Sequence, residues 1–327
     1  MEYRRLGQSG LKISALSFGS WVTFANQVNH KRAEEMLALA YEAGVNFFDN
    51  SEVYAHGRSG EMMGAVLAGL GFDRDTWCVS SKVFWGRVRD PKPTQRGLAR
   101  KHVIEACHGA LRRLRVEYLD LYFCHRPDPD TPVEEVVRTM NTLIAQGKIL
   151  YWGTSEWSAA EIRAACDCAG RLGLEGPTME QPQYNLFHRH RVEEEYASIF
   201  RDFGIGTTTW SPLASGILSG KYSDGIPEDS RFRLEGYGWL QEMIESERGR
   251  ARIEAASKIA AISRELGATP AQLAIAWCLR NPKVSSVILG ASKPEQLREN
   301  LGALAVYQRL DDHTANKLEA LTSSLAD

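Results

Sequence analysis

Four residues stand at positions where they could move a proton. The segment FFDNSEVY carries Asp49 and Tyr54, VSSKVFWG carries Lys82, and LDLYFCHRPDPDTP carries His125. A free tyrosine has a pKa of about 10, too high for ready exchange near neutrality, and a neighbouring ammonium favours the phenolate and lowers it. Asp49 would hold Lys82 in place and His125 would hydrogen-bond a substrate oxygen. The set then comprises a general acid, its tuning group, an orienter and an electrophilic helper. Each residue alone has a plainer explanation, a structural ion pair for the aspartate and lysine and a satisfied hydrogen-bonding group for the histidine. Complementary chemistry at the ends of three consecutive strands favours the catalytic account.

These strands belong to a repeating pattern. Short runs rich in Val, Ile, Phe, Trp and Thr alternate with segments of helical period. Strands are predicted over residues 13–20, 46–51, 78–84, 118–125, 149–155, 178–185, 205–211 and 284–292. Helices are predicted over 31–43, 100–114, 133–146, 158–171 and about 191–202. Helix starts are marked by Thr131 with Pro132 and Glu134, by Ser158 with Glu161, and by Thr269 with Pro270 and Gln272. Near-continuous apolar strands joined by helical crossovers imply a parallel sheet covered by helices. Eight such units imply closure, so the α/β fold expected is a (β/α)8 barrel. A doubly wound sheet would carry a glycine-rich phosphate turn after its first strand, whereas here that strand runs into GSWVTF. Two segments fall outside the repeat. Residues 3–13, turning at Gly-Gln-Ser-Gly, read as a β-hairpin that plugs the barrel floor, and residues 213 to about 250 form a long loop after the seventh strand, expected to act as a lid or clamp.

Composition narrows the function classes. With 327 residues, 43% hydrophobic and 24% charged, the chain can bury a large core, and one barrel domain over 1–327 is expected. The 39 basic and 41 acidic residues leave a net charge of −2. No long basic block singles out nucleic acid or an anionic membrane as partner. The longest strongly apolar run, residues 273–279, is far short of the ~20 residues a bilayer crossing needs. The opening MEYRRLGQSG has charges where a signal peptide needs an apolar stretch, so a cytoplasmic protein is predicted. Cys78, Cys107, Cys124 and Cys278 read as packing residues. Cys166 and Cys168 point apart on a helix and complete no metal site. Arg112, Arg113 and Arg115 read as a solvated helix end.

The chain as a whole resembles the aldo-keto reductase family. The motifs that carry the resemblance run in order: YRRLGQSGLKIS, NFFDNSEVY, SKVFW, HRPDP, GKILYWGTS, EQPQYN, TTWSPLASGILSGKY, QLAIAWCLRN, and SSVILGAS followed by EQLRENL. WVTF, HRPDPDTP, YWGTSEW and WSPLASGILSGKY resemble the subgroup that contains the potassium-channel β-subunits and their bacterial relatives. The resemblance implies a catalytic tetrad of Asp49, Tyr54, Lys82 and His125 working with NADPH/NADP+. In the animal channel subunits the histidine position holds asparagine, and the arginine after the serine of WGTS is Glu156 here, so that contact is not carried over.

Further expectations follow from the same resemblance. Ser155 and Gln181 would meet the carboxamide and Trp210 the nicotinamide ring face, with Ser20, Trp21, Gln27 and Asp49 nearby. Ser211, Pro212, Leu213, Ala214 and Gly216, with Lys221 beyond, would hold the diphosphate. At the adenosine end, Gly290, Ser292, Gln296 and Arg231 would surround the 2′-phosphate, together with Lys293 and Arg298, and Glu299 and Asn300 would meet the adenine. Ser292 with Glu295 reads as a helix N-cap and capping box, and a helix N-terminus beside a lysine attracts an anion. Trp21, Phe24 and Trp85, with Tyr54 and His125, either line a substrate pocket or, for the three aromatics at loop entrances, belong to the core.

The expected function is NADPH-dependent reduction of small aldehydes or ketones, in a homo-oligomer of four or more subunits. Two alternatives remain: a cofactor-binding regulatory subunit with weak activity, and a Schiff-base aldolase with Lys82 as nucleophile.

Overall fold

Short apolar strands separated by amphipathic helices close into a barrel in the computed structural model, which describes residues 1–222, 225 and 238–327. Strands β1 (Tyr3–Arg5) and β2 (Lys12–Ser14) form an antiparallel hairpin outside it. The barrel itself contains β3 (Leu16–Gly19), β4 (Phe47–Asp49), β5 (Cys78–Val83), β6 (Leu119–Cys124), β7 (Ile149–Thr154), β8 (Met179–Glu180), β9 (Gly206–Thr209) and β10 (Val284–Leu289). All eight are parallel, and β10 pairs with β3 to close the ring.

Each predicted strand contains an observed one, but most are shorter at the C-terminal end. β8 is the extreme case: Gln-Pro-Gln follows it, and Pro182 has no N–H to give to a ladder. Among the residues shed from the ladders, His125, Ser155 and Gln181 line a cleft at the barrel rim.

The hairpin closes the floor. Leu6 and Ile13, both fully buried, pack with Phe47, Leu121, Phe123 and Met179 inside the barrel. Gly7 touches the start of β9 so closely, at φ +59°, that a Cβ there would lie 2.3 Å from the Gly204 carbonyl oxygen. Only glycine fits. A second core fills the space between strands and helices, with Met36, Leu37, Val66, Val103, Met140 and Ile162 among its members.

Capping boxes form at Ser158–Glu161 and Thr269–Gln272, as predicted. Thr131 makes no cap: its hydroxyl donates to Asp128, and the helix Val133–Ala145 starts at Pro132 without a side-chain cap bond. The helix expected over 191–202 is broken into a π-helical turn, Arg191–Glu195, and an α-helix, Ala197–Phe203. Arg113 is half-buried, so the arginine cluster is not simply solvated. Its side chain lies under the glycine face of helix Arg58–Leu70, where a Cβ on Gly60 would stand 3.5 Å from its own Cβ, and burial lowers its pKa. After β9 the described part of the long segment contains a 3-10 turn, Ala214–Ser219, and a helix, Gly238–Glu245. Among the described residues no helix is long and apolar enough to cross a membrane, and no cluster of metal-binding side chains occurs.

Candidate active site

A cleft of about 450 Å³ opens at the C-terminal rim of the strands. At its base, Lys82 is wholly buried and gives its three protons to Asp49 Oδ2 (2.6 Å), the Asn50 carbonyl (3.0 Å) and Tyr54 Oη (2.9 Å). Burial lowers the pKa of this ammonium, and the Asp49 carboxylate opposes the shift. Asp49 is fixed in turn: its Oδ1 accepts from Ser80 Oγ at 2.8 Å and Gln181 Nε2 at 3.0 Å. Tyr54 reaches Lys82 because the chain reverses just beyond it, with Ala55 (φ +48°), His56 (φ +56°) and Gly57 (φ +86°) all left-handed before the helix Arg58–Leu70 begins. Two of these are non-glycine residues, and such strain gathers at functional sites.

His125 faces Tyr54 with ring centroids 6.0 Å apart, and its Nδ1 lies 3.1 Å from Ser51 Oγ. Burial, then the charges of Lys82 and Arg126, hold its pKa well below the usual histidine value, so the ring is neutral at pH 7. Trp85 packs edge-on against it at 4.5 Å and is 39% exposed, which makes it cleft wall rather than core. Buried Glu52 secures the loop that bears Trp85, accepting from the N–H groups of Phe84 (2.9 Å) and Gly86 (3.0 Å), with His102 Nε2 at 3.4 Å.

Trp21 and Trp210 stand perpendicular with centroids 5.6 Å apart on the opposite wall. Glu156, at φ +59°, anchors Trp210: its Oε1 accepts from the indole N–H at 2.9 Å and from Gln183 N at 2.6 Å, and its Oε2 from Arg191 at 2.5 Å. Behind it, fully buried Glu180 accepts from the Thr154 hydroxyl and from Glu156 N, and burial pushes its pKa up to about 8.

Most expected site residues meet in this one cleft. Gln27, Asp49, Ser155 and Gln181 line its inner part. Ser211, Pro212, Leu213, Gly216 and Lys221 form one flank, and Gly290, Ser292, Gln296, Glu299 and Asn300 the far end. Ser211, Ala214, Ser215 and Gly216 all have positive φ, and a Cβ on Gly216 would meet Lys221 Nζ at 3.1 Å, so glycine lets the lysine close over the turn.

Several expectations are corrected. Phe24 is 1% exposed and packs on Phe18 in the core, away from the cleft. Ser20 is buried beneath it, bonded to the Asp49 carbonyl and to Asn50, and Ala214 points into the core. Ser292 does not cap the helix Pro294–Leu301: Lys293 occupies the N-cap without a side-chain bond, and Gln296 Oε1 instead accepts from Ser292 N (3.0 Å) and Oγ (3.2 Å). Ser292 stands one residue too early to cap, so Glu295 has no capping-box partner. Arg231 lies outside the described residues. Sequence reasoning missed Ser51, Ser80 and Arg126. The last could have been found by its place beside His125.

Comparison with known proteins agrees with this architecture. The family model described as "Aldo/keto reductase family" matches residues 15–323. The chain is 50% identical to an Oryza sativa subsp. japonica protein named "Probable voltage-gated potassium channel subunit beta", over 99% of this chain and 97% of that one. An Arabidopsis thaliana protein of the same name is 49% identical over the same shares. With a barrel closed by eight parallel strands and a family match that covers nearly its whole length, this chain belongs to the aldo/keto reductase family.

Proposed function

We propose that the chain is an NADPH-dependent carbonyl reductase acting on small aldehydes or ketones, with Tyr54 as general acid. The observation that carries this reading is the Lys82 ammonium, bonded at once to the Asp49 carboxylate and the Tyr54 hydroxyl at the base of a cleft. Tyr54 gives its proton to the carbonyl oxygen, and the ammonium 2.9 Å away stabilises the phenolate left behind. His125 Nδ1 lies 3.1 Å from Ser51 Oγ, and with the serine as donor in that contact the ring proton lies on Nε2, where it can bond a substrate oxygen.

The residues present fit a nicotinamide dinucleotide. The cleft runs from the tryptophan wall held by Glu156, past the turn where Gly216 leaves room for Lys221, to polar groups around Ser292 and Asn300. When bound, the reduced cofactor supplies the hydride that the carbonyl carbon gains. Ser155 and Gln181 would orient the carboxamide and Trp210 would cover the ring face. NADPH rather than NADH is the expected cofactor, because the exposed Lys293 and Arg298 adjoin in sequence Ser292, Gln296 and Glu299, which line the far end of the cleft where a 2′-phosphate would lie. The Michaelis constant for NADPH should be at least tenfold below that for NADH, and Lys293→Ala should narrow the gap. Equal constants in the wild type would refute this assignment.

Turnover is tested by following the reduced-cofactor absorbance band with a panel of aldehydes. A second reading, a cofactor-binding channel regulatory subunit, draws support from the names of the two plant relatives. Binding of the cofactor with no turnover across the panel would favour it. A Schiff base at Lys82 is disfavoured because all three of its protons are engaged. Borohydride trapping of a labelled Lys82 would reinstate it.

A further inference from the structure

One cation in the cleft enters the chemistry above only through its charge on His125. Arg126 lines the cleft, its guanidinium carbon is 4.9 Å from the centre of the Trp85 ring, and Trp85 in turn packs on His125. Nη1 donates to the His125 carbonyl at 2.5 Å, which fixes the guanidinium beside the ring that faces Tyr54. A guanidinium has five N–H donors in a planar fork, and this bond uses one of them.

Charge accounting around the cleft leaves Arg126 uncompensated. Asp49 is matched by Lys82 at 2.6 Å. Glu156 exerts the strongest acidic pull on Arg126, yet both of its oxygens are committed to Gln183, Trp210 and Arg191. Glu180, with its pKa pushed up to about 8, is largely protonated at neutral pH. Among the described residues no carboxylate forms an ion pair with Arg126, whereas Arg74, Arg138, Arg163, Arg191 and Arg280 all have one. Burial also lowers the Arg126 pKa, so its charge is held partly out of water with no ion-paired carboxylate among the described residues, beside the rings of Trp85 and His125. A planar fork in that setting matches a carboxylate or phosphate better than a neutral group does.

We propose that the cleft selects carbonyl compounds bearing an anionic group, a carboxylate or a phosphate, a few bonds from the carbonyl, with Arg126 as the residue that receives it. This rests on the carbonyl-reductase reading and names its substrate class. The carbonyl oxygen sits at Tyr54 and His125, the anion reaches the guanidinium, and the substrate backbone lies along Trp85.

The experiment compares matched aldehydes with reduced cofactor: 4-carboxybenzaldehyde against 4-methylbenzaldehyde, and glycolaldehyde phosphate against glycolaldehyde. Whichever anion is recognised, kcat/KM should favour the charged member of that pair at least tenfold in the wild type. In Arg126→Gln the ratio should fall toward one, with the loss mostly in KM, and Arg126→Lys should recover part of it. Calorimetric titration of 4-(hydroxymethyl)benzoate into the protein with NADP+ gives a readout free of turnover, and Arg126→Gln should weaken that binding tenfold or more. Similar ratios in wild type and Arg126→Gln, with neutral aldehydes still reduced, would overturn the anion assignment and leave the reductase reading standing. Failure to reduce any of the four aldehydes would overturn both.

Discussion

An aspartate oxygen, a lysine nitrogen and a tyrosine oxygen stand in a row at the base of the cleft, joined by bonds of 2.6 and 2.9 Å, and the proposed proton transfer rests on them. Tyr54→Phe removes the proton and keeps the ring, so carbonyl reduction should fall by about 10² to 10⁴ while cofactor binding, read by quenching of tryptophan fluorescence, stays nearly intact. Near-normal turnover in that variant would remove Tyr54 from the mechanism. Lys82→Met should be comparably harmful, since the phenolate loses its counter-cation, and its pH-rate profile should depart from that of the wild type. Asp49, Tyr54, Lys82 and His125 could be singled out in the sequence because each brings an ionisable side chain to the end of a near-continuous apolar strand or to the loop just after it. Ser51 and Ser80, which hold His125 and Asp49, were not. A serine looks alike in sequence whether it faces solvent or a buried carboxylate, and only burial distinguishes them.

Strand β8 and the turn after β7 act as a unit behind Trp210. Glu180 on β8 accepts from Thr154 and from the backbone N–H of Glu156, and Glu156 then positions the indole. The folded pKa of Glu180, about 8, lies above its ordinary value of 4.5 because of burial. The native state therefore retains a proton that the unfolded chain has released, and stability should decline as pH rises from about 4.5 to about 8, then level off. Glu180→Gln cannot release that proton. Its unfolding free energy from chemical denaturation should fall less than that of the wild type between pH 5 and pH 8, by an amount on the order of a few kcal/mol. Parallel curves of unfolding free energy against pH for the two proteins would show that Glu180 does not carry this dependence. Strand and helix periods announced these elements, but the short length of β8 and the break between Arg191–Glu195 and Ala197–Phe203 were decided by local backbone geometry that hydrophobic periodicity does not encode.

At the scale of the whole molecule the barrel is closed at one end and open at the other. The hairpin side chains Leu6 and Ile13 seal the floor, and every polar group of the cleft lies at the opposite rim. Leu6→Ala should lower unfolding free energy by about 2 to 5 kcal/mol in chemical denaturation, as deletions in a packed core do, without altering carbonyl turnover at temperatures where the protein stays folded. A loss of turnover matching the loss of stability would couple floor and rim. By itself the sequence determined the eight-fold alternation of strand and helix, the hairpin ahead of it and the chemistry gathered at the strand ends, because these follow from the period of hydrophobic residues and from side-chain type. Only the tertiary structure decided that Phe24 is core and Trp85 is cleft, that Ser292 gives way to Lys293 at the helix start, and that Arg126 stands in the cleft with no ion-paired carboxylate among the described residues. Each of these depends on which groups from distant parts of the chain come within bonding distance, and neither residue type nor local spacing specifies that.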